Sequence, residues 1–225
     1  MTALAGFLVM GLGLRRSVVK LPTEAEIKHP PKGRTAILIA TYNETPERIF
    51  GMALATMKDI GLSGHGESFD VFILSDTTDP DIWVHEEAAF RAARARPGTG
   101  PRLYYRRRST NSGKKAGNIA DWCRRWGPAY DYMIVLDADS LMTGESLVKL
   151  AHAMDRAPDV GLIQTSPTTL GRNTLFARMQ QFANSLYGPM MAAGLAFWHR
   201  SAGNFWGHNA IIRVRAFMES AGLPH

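Results

Sequence analysis

The sequence predicts an α/β protein with a mostly parallel sheet and helices on both faces. Three observations predict it. Short apolar runs rich in β-branched residues alternate with longer stretches whose apolar residues recur at helical spacing. Several of the runs stop abruptly at polar or acidic residues, as strands do where an open α/β sheet presents its carboxyl ends. The 225 residues, 45% hydrophobic and 20% charged, suit one large folded domain rather than a disordered chain.

Met1 to Leu14 carries no charge, and Arg15, Arg16 and Lys20 come directly after it. A membrane-spanning helix needs about 20 apolar residues, so the run is too short to span alone. A secretory signal would carry its charges before the apolar core rather than after it. The expectation is the end of a transmembrane helix with juxtamembrane basic residues over 1–20. The positive-inside rule then puts the chain beyond Arg15 in the cytoplasm. An ordinary buried terminal helix is the alternative. Residues 21–33, with three prolines, read as a linker.

Thr35 to Ala40 is the first strand, ending in Thr41-Tyr42-Asn43-Glu44. Thr45 and Pro46 supply an N-cap and a first-turn proline, and Ile49, Met52, Ala53, Met57 and Ile60 give a helical stripe closed by Gly61. Phe69 to Leu74 is the second strand, ending at Ser75-Asp76. Asp79-Pro80-Asp81 opens a helix that closes on arginines near Arg94 and Arg96, as the helix dipole prefers. Arg102 to Arg106 is a third strand, and Lys114 to Trp126 a helix after a polar loop. Tyr132 to Leu136 is a buried strand that runs into Asp137-Ala138-Asp139. Leu147, Leu150, Ala151 and Met154 make the next amphipathic helix, Gly161 to Gln164 the fifth strand, and Asn209 to Arg213 the last. Between them Leu175, Met179, Phe182, Leu186 and Met190 share a helical face that should break near Gly188-Pro189. Most of that face is expected in the core, although its Met and aromatic density also suits a membrane or another domain.

The formal charge of +6 fits an anionic partner such as a nucleotide diphosphate, nucleic acid or anionic lipid, without choosing among them. Cys123 is the single cysteine, which excludes an intramolecular disulfide and a Cys-based zinc site; it is expected as a buried thiol. Neither the P-loop pattern nor a Gly-x-Gly-x-x-Gly turn after the first strand occurs, which argues against a P-loop ATPase and a dinucleotide dehydrogenase.

Chemistry concentrates where strands end. If Asp137 and Asp139 both lie on the strand, residues two apart point the same way and could share one ligand. Paired carboxylates suit a hard cation such as Mg²⁺ or Mn²⁺. Asp76 and the Thr41 to Glu44 turn come to the same sheet edge. Lys114 and Lys115, with free N–H groups at a helix start, suit a diphosphate. Arg106-Arg107-Arg108 reads as a solvated basic edge, with a nucleic-acid patch as the sharper alternative. His208, in Trp206-Gly207-His208-Asn209, is either a substrate contact or a structural histidine.

These motifs, in this order, resemble the family 2 glycosyltransferases, the processive membrane group that includes cellulose and hyaluronan synthases. The matches are Tyr42-Asn43-Glu44, Asp76, Lys115-Ala116-Gly117-Asn118, Asp137-x-Asp139 and Gln164-Thr165, and they span about Arg34 to Arg215. Ala40 to Pro46, Lys114 to Asn118 and Asn204 to Ile212 look most like the inner-membrane members that build the β-1,2-linked backbone of osmoregulated periplasmic glucans. The resemblance implies a GT-A (nucleotide-diphospho-sugar transferase) fold over 34–225. It also implies inverting transfer of glucose from UDP-glucose to a glucan acceptor, with a divalent cation. It assigns Thr41, Tyr42, Glu44, Asp76, Lys115, Asp137 and Asp139 to the donor, with Asp139 and Asp137 at the metal. Trp206, Gly207 and His208 go to the acceptor.

The family's Thr-Glu-Asp-like base motif and its Gln-x-x-Arg-Trp motif are absent, so the general base is expected beyond His225. The chain is therefore expected to be a piece of a longer membrane protein, with no nucleic-acid partner. A nucleotide-sugar-responsive module without turnover, and a synthase of another polysaccharide, are the competing readings.

Overall fold

The computed structural model describes residues 1–13, 19–96, 100–166, 173–199 and 202–220. Arg15 and Arg16, on which the membrane orientation rests, and Leu223 to His225 lie outside them.

The chain forms two compact units, one of Leu21–Ile163 with Gly207–His225 and the other of Met1–Lys20 with Gln164–Trp206. The strands are β1 (Thr35–Thr41), β2 (Phe69–Ser75), β3 (Arg102–Arg107), β4 (Tyr132–Asp137), β5 (Leu162–Gln164) and β6 (Ala210–Arg213), and all but the last residue of β5 belong to the first unit. Their order in the sheet is β3-β2-β1-β4-β6-β5. β3, β2, β1 and β4 run parallel, while β6 joins β4 antiparallel.

The inner strands read as continuous apolar runs because both faces are covered. Alternate residues separate cleanly. Ile37, Ile39, Val71, Ile73, Ile134 and Leu136 face one core, with α2 (Pro46–Leu62), α3 (Pro80–Arg94) and α5 (Gly144–Arg156) packed over it. Ala36, Leu38, Phe72, Leu74, Met133 and Val135 face the other, under α4 (Lys114–Trp126) and α7 (Val214–Ser220). Fully buried Trp122 of α4 meets Phe72 edge-on at 5.5 Å between ring centres.

Helix starts obey local chemistry. Asp79 caps α3 by accepting from the Asp81 N–H at 3.0 Å, and Thr143 caps α5 by accepting from Ser146 at 3.2 Å. Thr45 holds the cap position of α2, but its side chain makes no capping bond, and Pro46 sets the first turn instead.

The second unit pairs α1 (Thr2–Gly11) with α6 (Leu175–His199). Gly6 and Gly194 let the two backbones touch, since a Cβ on Gly6 would stand 1.8 Å from the Met190 carbonyl oxygen. Two expectations fail here. α6 runs on through Pro189 instead of breaking, because a proline removes a single helical hydrogen bond and the residues around it keep helical geometry. Its apolar face is also not core: Leu175 is 78% and Phe182 68% exposed. Helical periodicity records which residues align, not what covers them. Among the described residues no helix is long and apolar enough to cross a membrane.

Candidate functional site

The carboxyl ends of β1, β2 and β4 open into a cavity of about 780 Å³. The strands are in register there, Ala40 beside Asp137 and Thr41 beside Ser75, so their end residues emerge at one level. Thr41, Tyr42, Glu44, Asp76, Lys115, Asp137 and Asp139 all line this cavity.

The turn after β1 is tight. Asn43 adopts φ +53°, and its side-chain oxygen accepts from the backbone N–H of Thr78 (3.0 Å) and Asp79 (3.2 Å). That ties the β1 turn to the loop after β2. Asp76 adds a second tie, its N–H donating to the Thr41 carbonyl at 3.0 Å. Thr41 Oγ1 donates to Glu44 at 3.3 Å. Burial among the cavity walls pushes the Glu44 carboxyl above the usual carboxylate range. The Thr41 hydroxyl works against that shift, and the charges of Asp139 and Asp137 add to it.

Asp137 is the last residue of β4, but Asp139 lies beyond the strand in a turn closed by the Ser140 N–H on the Asp137 carbonyl. Strand alternation therefore does not bring the two carboxylates together. The turn carries Asp139 to the cavity, with small Ala138 buried between the two acids.

Lys115 enters from the first turn of α4. Gly113, φ +67°, and Gly117 permit that entry. A Cβ on Gly117 would sit 2.1 Å from the Ser112 carbonyl oxygen, so only glycine lets the loop fold onto the helix. The Lys115 ammonium pairs with the Asp137 carboxylate and donates to the Gly207 carbonyl at 2.7 Å. Gly207 thus meets the cavity-lining residues through Lys115. His208 is half-buried beside it, and Asn209 anchors the segment by donating to the Val135 carbonyl at 2.8 Å. Trp206 falls in the helical unit, its N–H donating to the Gln164 side chain at 3.1 Å.

Sequence reasoning gives no role to Arg48, Asn111 or Asn118, which also line the cavity. Only Asn118 carries a signal, as the last residue of its Lys-Ala-Gly-Asn run. The arginine triplet is not the solvated edge its composition suggests. Arg106 donates to the Asn118 carbonyl, Arg107 stacks 4.4 Å over Trp83, and Arg108 grips Asp76. Among the described carboxylates after Asp139, Glu145 pairs with Lys149 and Glu219 with Arg215, while Asp155 takes the Tyr132 hydroxyl at 2.9 Å. None of these, nor Asp159, lines the cavity.

A hard divalent cation fits the donor set of two carboxylates, with Glu44 adding negative charge beside them. Three-member clusters of metal-binding side chains do not occur among the described residues. A cation here would take its remaining ligands from water and phosphate oxygens.

Residues 132–224 match the family model described as glycosyl transferase family group 2. Over 224 residues the chain is 53% identical to glucans biosynthesis glucosyltransferase H of Bradyrhizobium diazoefficiens, covering 100% of this chain and 30% of that protein. The protein of the same name from Shewanella baltica is 50% identical, again over 100% of this chain and 30% of its own. The chain thus spans about 30% of the length of the curated relatives it matches. A solved mannosyltransferase from Pyrobaculum calidifontis, in complex with GDP-Man and Mn²⁺, superposes with a TM-score of 0.61. Sequence identity with it is 18%, over 99% of this chain and 56% of that one. The fold is the GT-A type; the family 2 model covers residues 132–224, and the similarity to the glucan glucosyltransferases runs along the whole chain.

Proposed function

We propose that this chain is the donor-binding part of an inverting family 2 glucosyltransferase that passes glucose from UDP-glucose to a growing β-glucan of the osmoregulated periplasmic type. The observation that carries the reading is the convergence of Glu44, Asp76, Lys115, Asp137 and Asp139 on one cavity at the strand ends. Relatives that share half of its residues and are named for glucan synthesis support the sugar and the product class.

Thr41, Tyr42 and Asp76 would take the nucleoside end of the donor, and Lys115 the diphosphate. Asp139 and Asp137 would hold a divalent cation, whose chemistry is to neutralise the diphosphate as it departs. Lys115 already screens Asp137, which leaves Asp139 as the more available ligand. The acceptor hydroxyl would attack the anomeric carbon on the face opposite the diphosphate, and UDP would leave with the bonding pair. The base that takes the hydroxyl proton is assigned to no residue of this chain. Gly207 and His208, reached through Lys115, and Trp206 are the acceptor-side candidates. The same reading puts 34–225 on the cytoplasmic side of an inner membrane, with residues 1–20 ending a transmembrane helix. The exposed apolar side chains of α1 and α6 support membrane association.

UDP binding to the full-length protein, measured with and without Mg²⁺ or Mn²⁺, tests the reading. Cation-dependent binding should be lost in Asp139→Asn. Unchanged cation dependence in that variant would refute the metal assignment.

A further inference from the structure

The most buried position of α3 is a carboxylate. Glu86 is 0% exposed, in a helix whose other buried residue is Ala93. Burying an acid is costly unless its oxygens are satisfied, and three hydroxyls satisfy these. Ser75 at the end of β2 donates at 2.7 Å, Thr77 in the loop beyond it at 2.8 Å, and Tyr105 of β3 at 2.9 Å. Glu86 itself does not line the cavity.

The hydroxyls of Ser75 and Thr77 do not stop at Glu86. With each hydrogen committed to the carboxylate, the oxygen is left to accept. Ser75 Oγ accepts from the Thr77 N–H at 3.1 Å, and Thr77 Oγ1 accepts from the Asn43 N–H at 3.1 Å. Asn43 sits in left-handed backbone between Tyr42 and Glu44, both on the cavity wall. Tyr105 shares a Glu86 oxygen with Ser75, but its hydrogen bonds do not reach Thr77 or Asn43.

We infer that Glu86 is a positioning residue for the nucleotide site, holding the β1 turn at Asn43 in its binding geometry through the Thr77 hydroxyl. The inference rests on the proposed nucleotide-binding function. The buried acid fixes which way the Thr77 hydroxyl points, that hydroxyl fixes the Asn43 amide, and the amide fixes the turn that carries Tyr42 and Glu44. An aliphatic residue at 86 would leave three hydroxyls without their acceptor and could not orient the relay.

The test compares Thr77→Val, Glu86→Gln and Tyr105→Phe in the full-length protein. Thr77→Val keeps the shape and cuts the relay, whereas Tyr105→Phe removes one bond to the same carboxylate and leaves the relay whole. UDP affinity in Mn²⁺ should fall about five- to ten-fold in Thr77→Val and Glu86→Gln, the scale of one hydrogen bond. It should stay within about two-fold in Tyr105→Phe. Hydrogen exchange over residues 41–45 should speed up in the first two variants only, a readout that needs no ligand. Should Glu86→Gln not fold, Thr77→Val against Tyr105→Phe decides alone. Equal UDP affinity and equal exchange in those two would overturn the inference while leaving the proposed function standing. Failure of UDP to bind the unaltered protein would overturn both.

Discussion

The Arg108 guanidinium holds both oxygens of the Asp76 carboxylate, Nε to Oδ1 at 2.7 Å and Nη2 to Oδ2 at 2.6 Å. The pair is nearly sealed, with side chains 13% and 4% exposed. The same guanidinium donates to the carbonyls of Ser112 (3.1 Å) and Lys114 (3.2 Å). One arginine thus binds the end of β2 to the loop that delivers Lys115. Arg108→Ala leaves a buried carboxylate and two carbonyls without their donor, and it should destabilise the protein by about 3 to 5 kcal/mol. Arg108→Lys keeps the charge but loses the fork, so its loss should be intermediate. Thermal or denaturant unfolding of the full-length protein measures both. A loss below about 1 kcal/mol in Arg108→Ala would show that the fork holds nothing.

The other ion pair of the site behaves oppositely. Lys115 and Asp137 are each more than a third exposed, at 35% and 38%. Solvent screens such a pair, and exposed pairs contribute little to folding. Lys115→Met keeps the aliphatic stem and should leave the unfolding midpoint nearly unchanged. A charge-assisted contact to a diphosphate is worth about 1.5 to 3 kcal/mol, so UDP affinity should drop about 10- to 100-fold. Titration calorimetry beside a melting curve separates the two effects. A fall in stability with affinity intact would recast Lys115 as a structural residue.

The sheet was legible because its signals are local. The boundaries expected for the first two strands, Thr35 to Ala40 and Phe69 to Leu74, fall one residue short of those observed. Uninterrupted apolar runs and Pro-led helix starts need no partner to be read. That Thr41, Tyr42, Glu44, Asp76, Lys115, Asp137 and Asp139 gather at one cavity was legible too, because parallel strands that end together deliver what comes next in the chain. The illegible features depend on distant partners. Nothing near Arg108 announces Asp76, 32 positions earlier, and so a buried fork reads as a basic edge. Glu86 looks like one more charge in a helix that also carries Glu87. α6 shows the limit of periodicity, since an exposed apolar face and a buried one have the same spacing. Asp139 marks a subtler error: period-two alternation does not extend beyond the end of the strand.

Gly117 is tested by the smallest possible change. A Cβ there would stand 2.1 Å from the Ser112 carbonyl oxygen and 3.4 Å from Arg108 Nη1. The first obstacle is backbone and cannot rotate away, so the loop or the first turn of α4 must move. Overpacking of this kind costs about 1 to 3 kcal/mol. Alanine is otherwise the better helix former by about 1 kcal/mol, so an increase in stability on Gly117→Ala would show that the close approach is absent. The expected result is a lower unfolding midpoint together with weaker UDP binding, because Lys115 rides on the displaced turn.

Cys123 gives a prediction for pH. Its thiol is buried on α4, with its sulfur 3.9 Å from Met133 Sδ. Burial pushes its pKa from 9.0 up to about 12, with the nearby Arg124 charge pulling slightly the other way. The thiolate is the reactive form, so iodoacetamide at about pH 8 should leave the folded protein unlabelled and modify Cys123 once urea unfolds it. The linkage has a definite sign. Between pH 9 and about 12 the folded chain keeps a proton that the unfolded chain releases, so stability falls as pH rises through that window. The contribution is fully present below pH 9. In Cys123→Ala that component is missing, and the stability difference between wild type and variant should shrink from about pH 9 to about pH 11. A constant difference over that range, or labelling of the folded protein under the same mildly alkaline conditions, would mean that the α4 face is more open to water than its packing against Met133 of β4 requires.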